Sequence, residues 1–287
     1  MNLRPLNPAH DLDHLRDFLA SSDPEDYLLE DLPEWAQEGR LWVGEERGEW
    51  VAFGRLQDLG DAEGWVSGLR VWPARRGQGL GGRLLDRLLS DARTIGVTAL
   101  RAVIDDGNAA SRRLFGRLGF GPVAALTLRR GLAQDEPANP FHRAGPRDHL
   151  DRPVGWLPAL ADRVDLLPGS EGGRFGGWRP SLLARWAAEG KLYLGPGLAV
   201  AVQVDWWKEP RTLWVNPLQG DPASLLPALG PLARALGHEE WQAFLPSTEQ
   251  LRAEYALCGT LPHPSWGDRV RLYERFDLPP IPPKPAP

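Results

Sequence analysis

The chain of 287 residues contains one cysteine, one methionine and three lysines, and it has no long apolar run. The lone Cys258 has no second cysteine to pair with, so an internal disulfide framework is excluded. No window approaches the roughly 18 consecutive apolar residues of a membrane-spanning helix. The start, MNLRPLNPAHDLDH, lacks the basic-then-apolar order of a secretion signal. We therefore expect a cytoplasmic protein with no membrane partner.

The charge is unevenly distributed along the chain. The net charge of -5 argues against a nucleic-acid partner, because a domain that binds nucleic acid is usually basic. Residues 1–68 hold sixteen acidic residues against five arginines, whereas residues 69–117 hold ten arginines against four aspartates. The second stretch is therefore suited to an anionic ligand. The excess of arginine over lysine indicates GC-rich codons and a bacterial source.

Strand and helix signals alternate through the first half. Turns rich in Gly and Asp separate three predicted strands, and leucines at helical spacing then predict an amphipathic helix. This order predicts an α/β protein with a mixed sheet. The predicted strands are 2–6, 41–45, 49–57, 63–72, 98–104 and 121–129, and the predicted helices are 8–19, 84–95 and 108–118.

The segment RVWPARRGQGLGG, residues 70–82, joins the third strand of this meander to the leucine-rich helix. A strand, a glycine turn and a helix N-terminus together present amide N–H groups at the positive end of a helix dipole, which suits a phosphate or pyrophosphate. Glycine lets the anion approach the backbone, while Arg75 and Arg76 add positive charge. A flexible loop without a ligand is the alternative that such a short motif leaves open.

A dinucleotide site is one interpretation of these glycines. Gly77, Gly79 and Gly82 satisfy GxGxxG, and Asp105 ends the next predicted strand, as in a dinucleotide-binding fold. In that fold the glycines directly follow the first strand of a parallel sheet. Here a meander of antiparallel-looking strands comes first, and Pro73–Arg76 intervene. A nucleotide-linked oxidoreductase is therefore the less favoured alternative.

From Val66 to Phe120 the chain resembles the GNAT superfamily of acyl-CoA-dependent N-acyltransferases. The resemblance rests on a strand ending LRVWP, then Arg-x-x-Gly-x-Gly, a leucine-rich helix, a strand, an asparagine and Gly-Phe twelve residues later. It covers most of residues 1–132, and SGLRVWPARRGQGLG is also similar to hookless-type and histidine N-acetyltransferase-type proteins. The resemblance implies that Leu69, Arg70 and Val71 run beside the pantetheine of acetyl-CoA. It also implies a pyrophosphate cradle of Arg76, Gly77, Gln78, Gly79, Leu80, Gly81 and Gly82.

The implied reaction is direct transfer of an acetyl group from acetyl-CoA to a primary amine of a small molecule, such as an amino acid. Asn108 is interpreted as a coenzyme contact, a helix N-cap or both. Phe115 stands where many family members carry a tyrosine that protonates the departing thiolate. A thiolate is an adequate leaving group without an acid, so activity is not excluded. Core packing is the other role for Phe115.

The amine must lose a proton, which calls for a base or a water chain. By the strand period of two, Glu63 lies on the same face as Leu69, and it is the first candidate. Alternatively, Glu63 is a solvated carboxylate at the end of a strand. In that case Asp58 or Asp61 in the adjoining turn is the candidate base. A route through Cys258 is not expected, because it falls on a predicted packed helix.

The second half is a weak internal repeat of the first. LYLGP (192–196) resembles LWVGE (41–45), LWVNP (213–217) resembles LRVWP (69–73), and LGHEEWQAFLPS (236–247) resembles IGVTALRAVIDD (95–106). The second copy has LQGDPASLL in place of the arginines and glycines. We therefore predict two tandem GNAT-like folds: 1–134 with the acetyl-CoA site, a linker at 135–150, a degenerate domain at 151–277 and a Pro-rich tail at 278–287.

Two further predictions complete this interpretation. The pair His10 and His14 lies one helical turn apart, but no third ligand is evident nearby, so no metal is expected. The expected partner is a small amine, and the protein is expected to be a monomer or a homodimer. A CoA-binding sensor without turnover is the main alternative function, since Phe115 lacks a hydroxyl.

Overall fold

The computed structural model describes residues 1–26, 28, 29, 32, 36, 40–145, 148, 166–168, 175–177, 180–204, 212–264, 266, 267 and 269–276. The Pro-rich tail predicted at 278–287 lies outside these residues. The described chain folds into two compact units. The first comprises 1–103, 109–121 and the residues from 273 onward, and the second comprises 104–108 and 122–272. These units differ from the sequence domains 1–134 and 151–277, which stay a prediction.

The first half alternates strands and helices, which confirms the predicted mixed α/β fold. In chain order the elements are β1 (Asn2–Pro5), α1 (Pro8–Ser22), β2 (Arg40–Glu46), β3 (Glu49–Gly60), β4 (Glu63–Val71), a 3₁₀ turn (Pro73–Arg75), α2 (Leu80–Thr94), β5 (Ala99–Asp105) and α3 (Ala109–Arg117).

The second half continues the alternation. Its elements are β6 (Gly121–Leu132), β7 (His142–Arg143), β8 (Leu166–Pro168), β9 (Phe175–Gly177), α4 (Pro180–Ala188), β10 (Leu192–Gly195), β11 (Leu198–Val204), β12 (Thr212–Gln219), α5 (Pro222–Ala235), β13 (Glu240–Pro246), α6 (Glu249–Leu257), β14 (Leu261–Pro262) and β15 (Val270–Phe276). None of the helices within the described residues is both long and apolar enough to cross a membrane.

Each unit contains a mixed sheet. In the first, the strands run in the order β1-β2-β3-β4-β5-β15, and the C-terminal part of β15 belongs to this unit. Neighbours are antiparallel from β1 to β4, and β4 pairs with β5 in parallel. In the second unit the order is β6-β13-β12-β11-β10-β7, with β12 and β13 parallel. The first unit therefore takes a strand from far along the chain.

The two faces of the first sheet are covered by different helices. On one face, Leu15 and Phe18 of α1 belong to the same buried cluster as Phe53 of β3. On the other, a Cβ built at Gly54 would contact Leu84 and Leu88 of α2. The leucine stripe predicted for α2 is buried, as the periodicity indicated. These faces are called the α1 face and the α2 face below.

Candidate active site

The glycine turn leads from β4 into α2 and leaves the start of the helix open. Gly77 and Gly79 have φ values of 78° and 79°, a left-handed conformation that favours glycine. Gly79 is the N-cap of α2, no side chain bonds to the first-turn amides, and no acidic residue lies in the first turn. The first intrahelical bond runs from the Arg83 N–H to the Gly79 carbonyl, at 3.2 Å. The preceding amides therefore point out of the helix, where an anion is accommodated.

The sequence predicted a helix that starts just after the glycines, whereas the helix begins at Leu80, so Gly81 and Gly82 lie in its first turn. A Cβ built at Gly81 would lie 3.3 Å from Leu114 of α3 and 3.5 Å from Val71. The structure thus brings Val71, Gly81 and α3 close together.

The two arginines of the turn have different environments. Arg75 forms an ion pair with Glu46 and bonds to the Gln78 side chain at 3.1 Å. The N-terminal ammonium, and then Arg75, holds the pKa of Glu46 below its ordinary value. Arg76 is exposed, and its Nε–H donates to the Val71 carbonyl at 3.2 Å, so the side chain folds back over the turn. Arg76 is therefore better placed than Arg75 to meet an anion.

Strands β4 and β5 pair over only three positions. The pairs are Glu63 with Ala99, Gly64 with Leu100, and Trp65 with Arg101, whereas β4 continues to Val71. The backbone of β4 that leads to the glycine turn therefore lies beyond the paired part of these strands. Leu69, Arg70 and Val71, which the sequence predicted to run beside pantetheine, lie in this part. The Arg70 side chain is held by Asp26 through bonds of 2.7 and 3.0 Å, which leaves its backbone as the part suited to a ligand.

A β-bulge interrupts the alternation of β4. The register moves from Arg55–Ser67 to Phe53–Arg70, so β4 contains one more residue than β3, and Gly68 has a φ of 61°. The alternation-based placement of Glu63 on the face of Leu69 is therefore wrong. Glu63 shares the α1 face with Ser67, whereas Leu69 reaches the Gly54 position on the α2 face.

Glu63 belongs to a buried charged cluster on the α1 face. Its carboxylate lies 3.1 Å from Nη1 of Arg101, and the Arg101 Nε–H donates to Glu274 at 2.6 Å. The side chains of Arg101 and Glu274 are each 1% exposed, and that of Glu63 is 13% exposed. The sequence interpretation missed Arg101 and Glu274. The available signal was a charged residue inside each of two apolar strands, TALRAVI and VRLYERF.

The reserve carboxylates lie in the turn between β3 and β4. Asp58 is exposed, and its side chain accepts the Gly60 N–H at 2.8 Å. Asp61 is also exposed, with a φ of 54°. Neither carboxylate has the burial of Glu63, so Glu63 stays the first candidate for the base.

The remaining predicted residues flank β5 and α3. Phe115 is 4% exposed and packs edge-on against Phe120 with ring centroids 4.9 Å apart, which supports its core-packing role. Asn108 directly precedes α3, and its segment 104–108 belongs to the second unit. Within that unit Asp105 accepts the Gly267 N–H at 2.9 Å. The guanidiniums of Arg271, and then Arg269, hold the pKa of Asp106 below its ordinary value.

The second unit repeats this strand geometry. Strands β12 and β13 pair only from Thr212–Glu240 to Trp214–Gln242, as β4 and β5 do from Glu63–Ala99 to Trp65–Arg101. By strand register, LWVNP (213–217) corresponds to GWVSG (64–68). The sequence comparison had matched it to LRVWP (69–73), which lies five residues later. Eight residues separate β4 from α2, whereas only Gly220 and Asp221 separate β12 from α5.

Known proteins resemble parts of this chain. The Acetyltransferase (GNAT) family model matches residues 10–120. The L-methionine sulfoximine/L-methionine sulfone acetyltransferase of Salmonella typhimurium is 36% identical over 88 residues, which are 29% of this chain and 52% of that protein. The mycothiol acetyltransferase of Beutenbergia cavernae is 31% identical over 104 residues, or 35% of this chain and 34% of that protein. The chain therefore spans about half of the first relative and a third of the second.

The fold is shared over a longer stretch. A solved GCN5-related N-acetyltransferase from Sphaerobacter thermophilus superposes with a TM-score of 0.60 and 18% identity, covering 98% of this chain and 96% of that one. At this level of identity the likeness concerns the fold alone.

Proposed function

We propose that the protein transfers an acetyl group from acetyl-CoA to the primary amine of a small molecule, because residues 10–120 match the Acetyltransferase (GNAT) family model. The observation that carries this proposal is the uncapped start of α2, which follows a strand whose pairing with β5 stops at Trp65. The start of α2 offers amide N–H groups to a pyrophosphate, and the part of β4 beyond Trp65 offers backbone groups to the pantetheine arm.

The residues fit this coenzyme. The amides of Leu80, Gly81 and Gly82 would hold the pyrophosphate, and no carboxylate in the first turn of α2 repels it. Arg76 would add a charge-assisted contact. Gln78 bonds to Arg75 and thereby braces the turn. Bound acetyl-CoA supplies an activated thioester carbon, and the protein positions the amine that attacks it.

A small amine is the proposed acceptor. The Salmonella relative is named for acetylation of two methionine derivatives, which supports an amino acid or a related amine. In direct transfer the amine nitrogen forms the new C–N bond, the C–S bond breaks, and the thiolate takes a proton from water. Phe115 has no hydroxyl to supply that proton.

Glu63 is the proposed acceptor of the amine proton. Its place on β4 is two residues before Trp65, where the pairing with β5 stops, and two residues of strand span about 7 Å. The amine proton would reach this carboxylate directly or through an intervening water. Asn108 is proposed as a coenzyme contact at the start of α3.

One chain is proposed to bind one coenzyme, with the second unit as a degenerate relative of the first. The short connection before α5 has no glycine-rich turn, and Asp221 caps the helix by accepting the Ser224 N–H at 3.0 Å. The hydroxyl and amide of Ser224 hold the pKa of Asp221 below its ordinary value, so a carboxylate already occupies this helix start. Pro222 also removes one N–H. The similarity to hookless-type and histidine N-acetyltransferase-type proteins, the cytoplasmic location and the oligomeric state stay predictions.

Titration calorimetry with acetyl-CoA, followed by thiol release with amino acids, polyamines and aminoglycosides, tests this proposal. We expect one coenzyme per chain and release that depends on an amine. Binding without release would favour the CoA-binding sensor, for which the buried Phe115 is the supporting observation. Two coenzymes per chain would contradict the degenerate second unit, and no binding would overturn the coenzyme assignment.

A further inference from the structure

The charged cluster on the α1 face places a second carboxylate on the arginine that faces Glu63. Arg101 of β5 lies between Glu63 of β4 and Glu274 of β15. The contact with Glu274 is a hydrogen bond of 2.6 Å, whereas Nη1 of Arg101 approaches Glu63 at 3.1 Å without hydrogen-bond geometry. Of these two contacts, the one with Glu274 is therefore the hydrogen-bonded ion pair of Arg101, and the one with Glu63 is the looser.

Within the described residues, three other charged groups lie on the C-terminal half of β3 or in the turn that joins it to β4. Arg55 of β3 is fully buried on the α1 face, opposite Ser67. Asp58 and Asp61 lie in the exposed turn that precedes Glu63. These three groups are not changed in the variants below, so they contribute equally to the electrostatic potential at residue 63 in each of them.

The matching positions of the second unit carry neutral side chains. By register, Thr212 matches Glu63, Gln242 matches Arg101, and Ala201 matches Arg55. Gln242 is 2% exposed and Thr212 is 1% exposed, so the same buried positions accept neutral side chains. Buried charges are costly, and a scaffold that can be built without them keeps them for another reason.

We propose that Arg101 and Glu274 are positioning residues that together set how readily Glu63 takes the acceptor's proton. This rests on the proposed function, since it assigns a role to the same site. Arg101 holds the Glu63 carboxylate in place, and Glu274 balances the positive charge that Arg101 brings beside it. Neither residue needs to touch the acceptor or the coenzyme.

The two residues act on Glu63 with opposite signs. Removing the Glu274 charge leaves Arg101 uncompensated, which favours the Glu63 carboxylate and disfavours its protonated form. Removing the Arg101 charge leaves two neighbouring carboxylates, which favours protonation. At the short separations of a buried cluster, each change should move the acidic limb of the activity's pH profile by about one pH unit or more.

The test is the pH dependence of kcat/KM for thiol release. Glu274→Gln should move the acidic limb to lower pH and lower the plateau severalfold, because a weaker base transfers the proton less effectively. Arg101→Gln should move the same limb to higher pH. The double variant Arg101→Gln, Glu274→Gln should return the limb towards that of the unchanged protein.

The control is Glu240→Gln, which removes a half-buried carboxylate on β13 that bonds to Thr212 at 2.7 Å. It should leave the limb in place. If either single variant does not fold, the double variant, which removes the two opposite charges together, should still fold and keep a limb that Glu63→Gln lacks.

Two failures are distinguishable. An unchanged protein without amine-dependent thiol release would refute the proposed function itself. Turnover with a limb that stays in place in both single variants, or that moves the same way in both, would overturn only the roles of Arg101 and Glu274. A double variant that folds but has no limb would also overturn them.

Discussion

Replacing Gly82 with aspartate places a carboxylate in the first turn of α2, where the pyrophosphate is proposed to bind. A Cβ at this position would meet only Leu114, at 3.8 Å, which is an ordinary van der Waals contact. At Gly81 the same contact would be 3.3 Å, with Val71 at 3.5 Å, so Gly81→Asp would mix packing strain with charge. Gly82 therefore separates the two effects.

The new charge acts in opposite directions on stability and on binding. A carboxylate near a helix N-terminus stabilises the free protein by about 0.3–1 kcal/mol. A phosphate charge about 6 Å away is repelled by roughly 0.7–1.4 kcal/mol at effective dielectric constants of about 40–80. Two phosphate charges therefore cost at least about 1.4 kcal/mol, or about tenfold in Kd.

The assay compares the unchanged protein with Gly82→Asp and the uncharged, similarly sized Gly82→Asn. Calorimetry should show at least about tenfold weaker acetyl-CoA binding for aspartate than for asparagine, with a gap that narrows at high salt. Thermal unfolding without ligand should show the aspartate variant to be no less stable than the asparagine variant. Equal affinities for the two variants would refute the assignment of the pyrophosphate to this turn.

Three other outcomes are expected. Asp106→Asn should cost about 1–3 kcal/mol in urea unfolding at pH 7 and less at pH 3, because a lowered pKa gives a stabilisation that is complete above about pH 4 and is lost as pH falls through the folded-state value. Equal losses at both pH values would contradict this. Phe115→Tyr should lose about 1–3 kcal/mol by burying a hydroxyl beside Phe120, without faster thiol release, and a faster release would place the ring at the leaving sulfur. Burial raises the pKa of the Cys258 thiol, so alkylation at pH 7.5 should be slow and Cys258→Ser should keep turnover, whereas lost turnover would point to a covalent route.

Local patterns predicted the elements well where apolar spacing determines them. The stripe from Leu84 to Ala92 is buried as its period indicated. The helix start was misplaced, because glycines have low helix propensity and give no apolar signal, whereas the chain begins the helix immediately after the turn at Gly79. The glycine turn itself was recognisable because its chemistry lies within a few consecutive residues.

The face of the sheet on which Glu63 lies was not predictable in the same way. One extra residue at the bulge reverses the alternation, so a period of two placed Glu63 on the wrong face relative to Leu69. The partnership of Arg101 with Glu274 joins residues 173 positions apart, and no local pattern determines such a pairing. A charge in an apolar strand indicated that a partner was needed, without indicating which residue it was.

The distance between Arg101 and Glu274 along the chain also matters for biosynthesis. Ribosomes add about 5–20 residues per second, so roughly 10–35 s pass between synthesis of Arg101 and synthesis of its partner 173 residues later. During that interval the N-terminal half can form its meander and α2, but not the buried ion pair beside Glu63. The charged cluster can therefore be completed only late in translation, after most of the second unit has been synthesised.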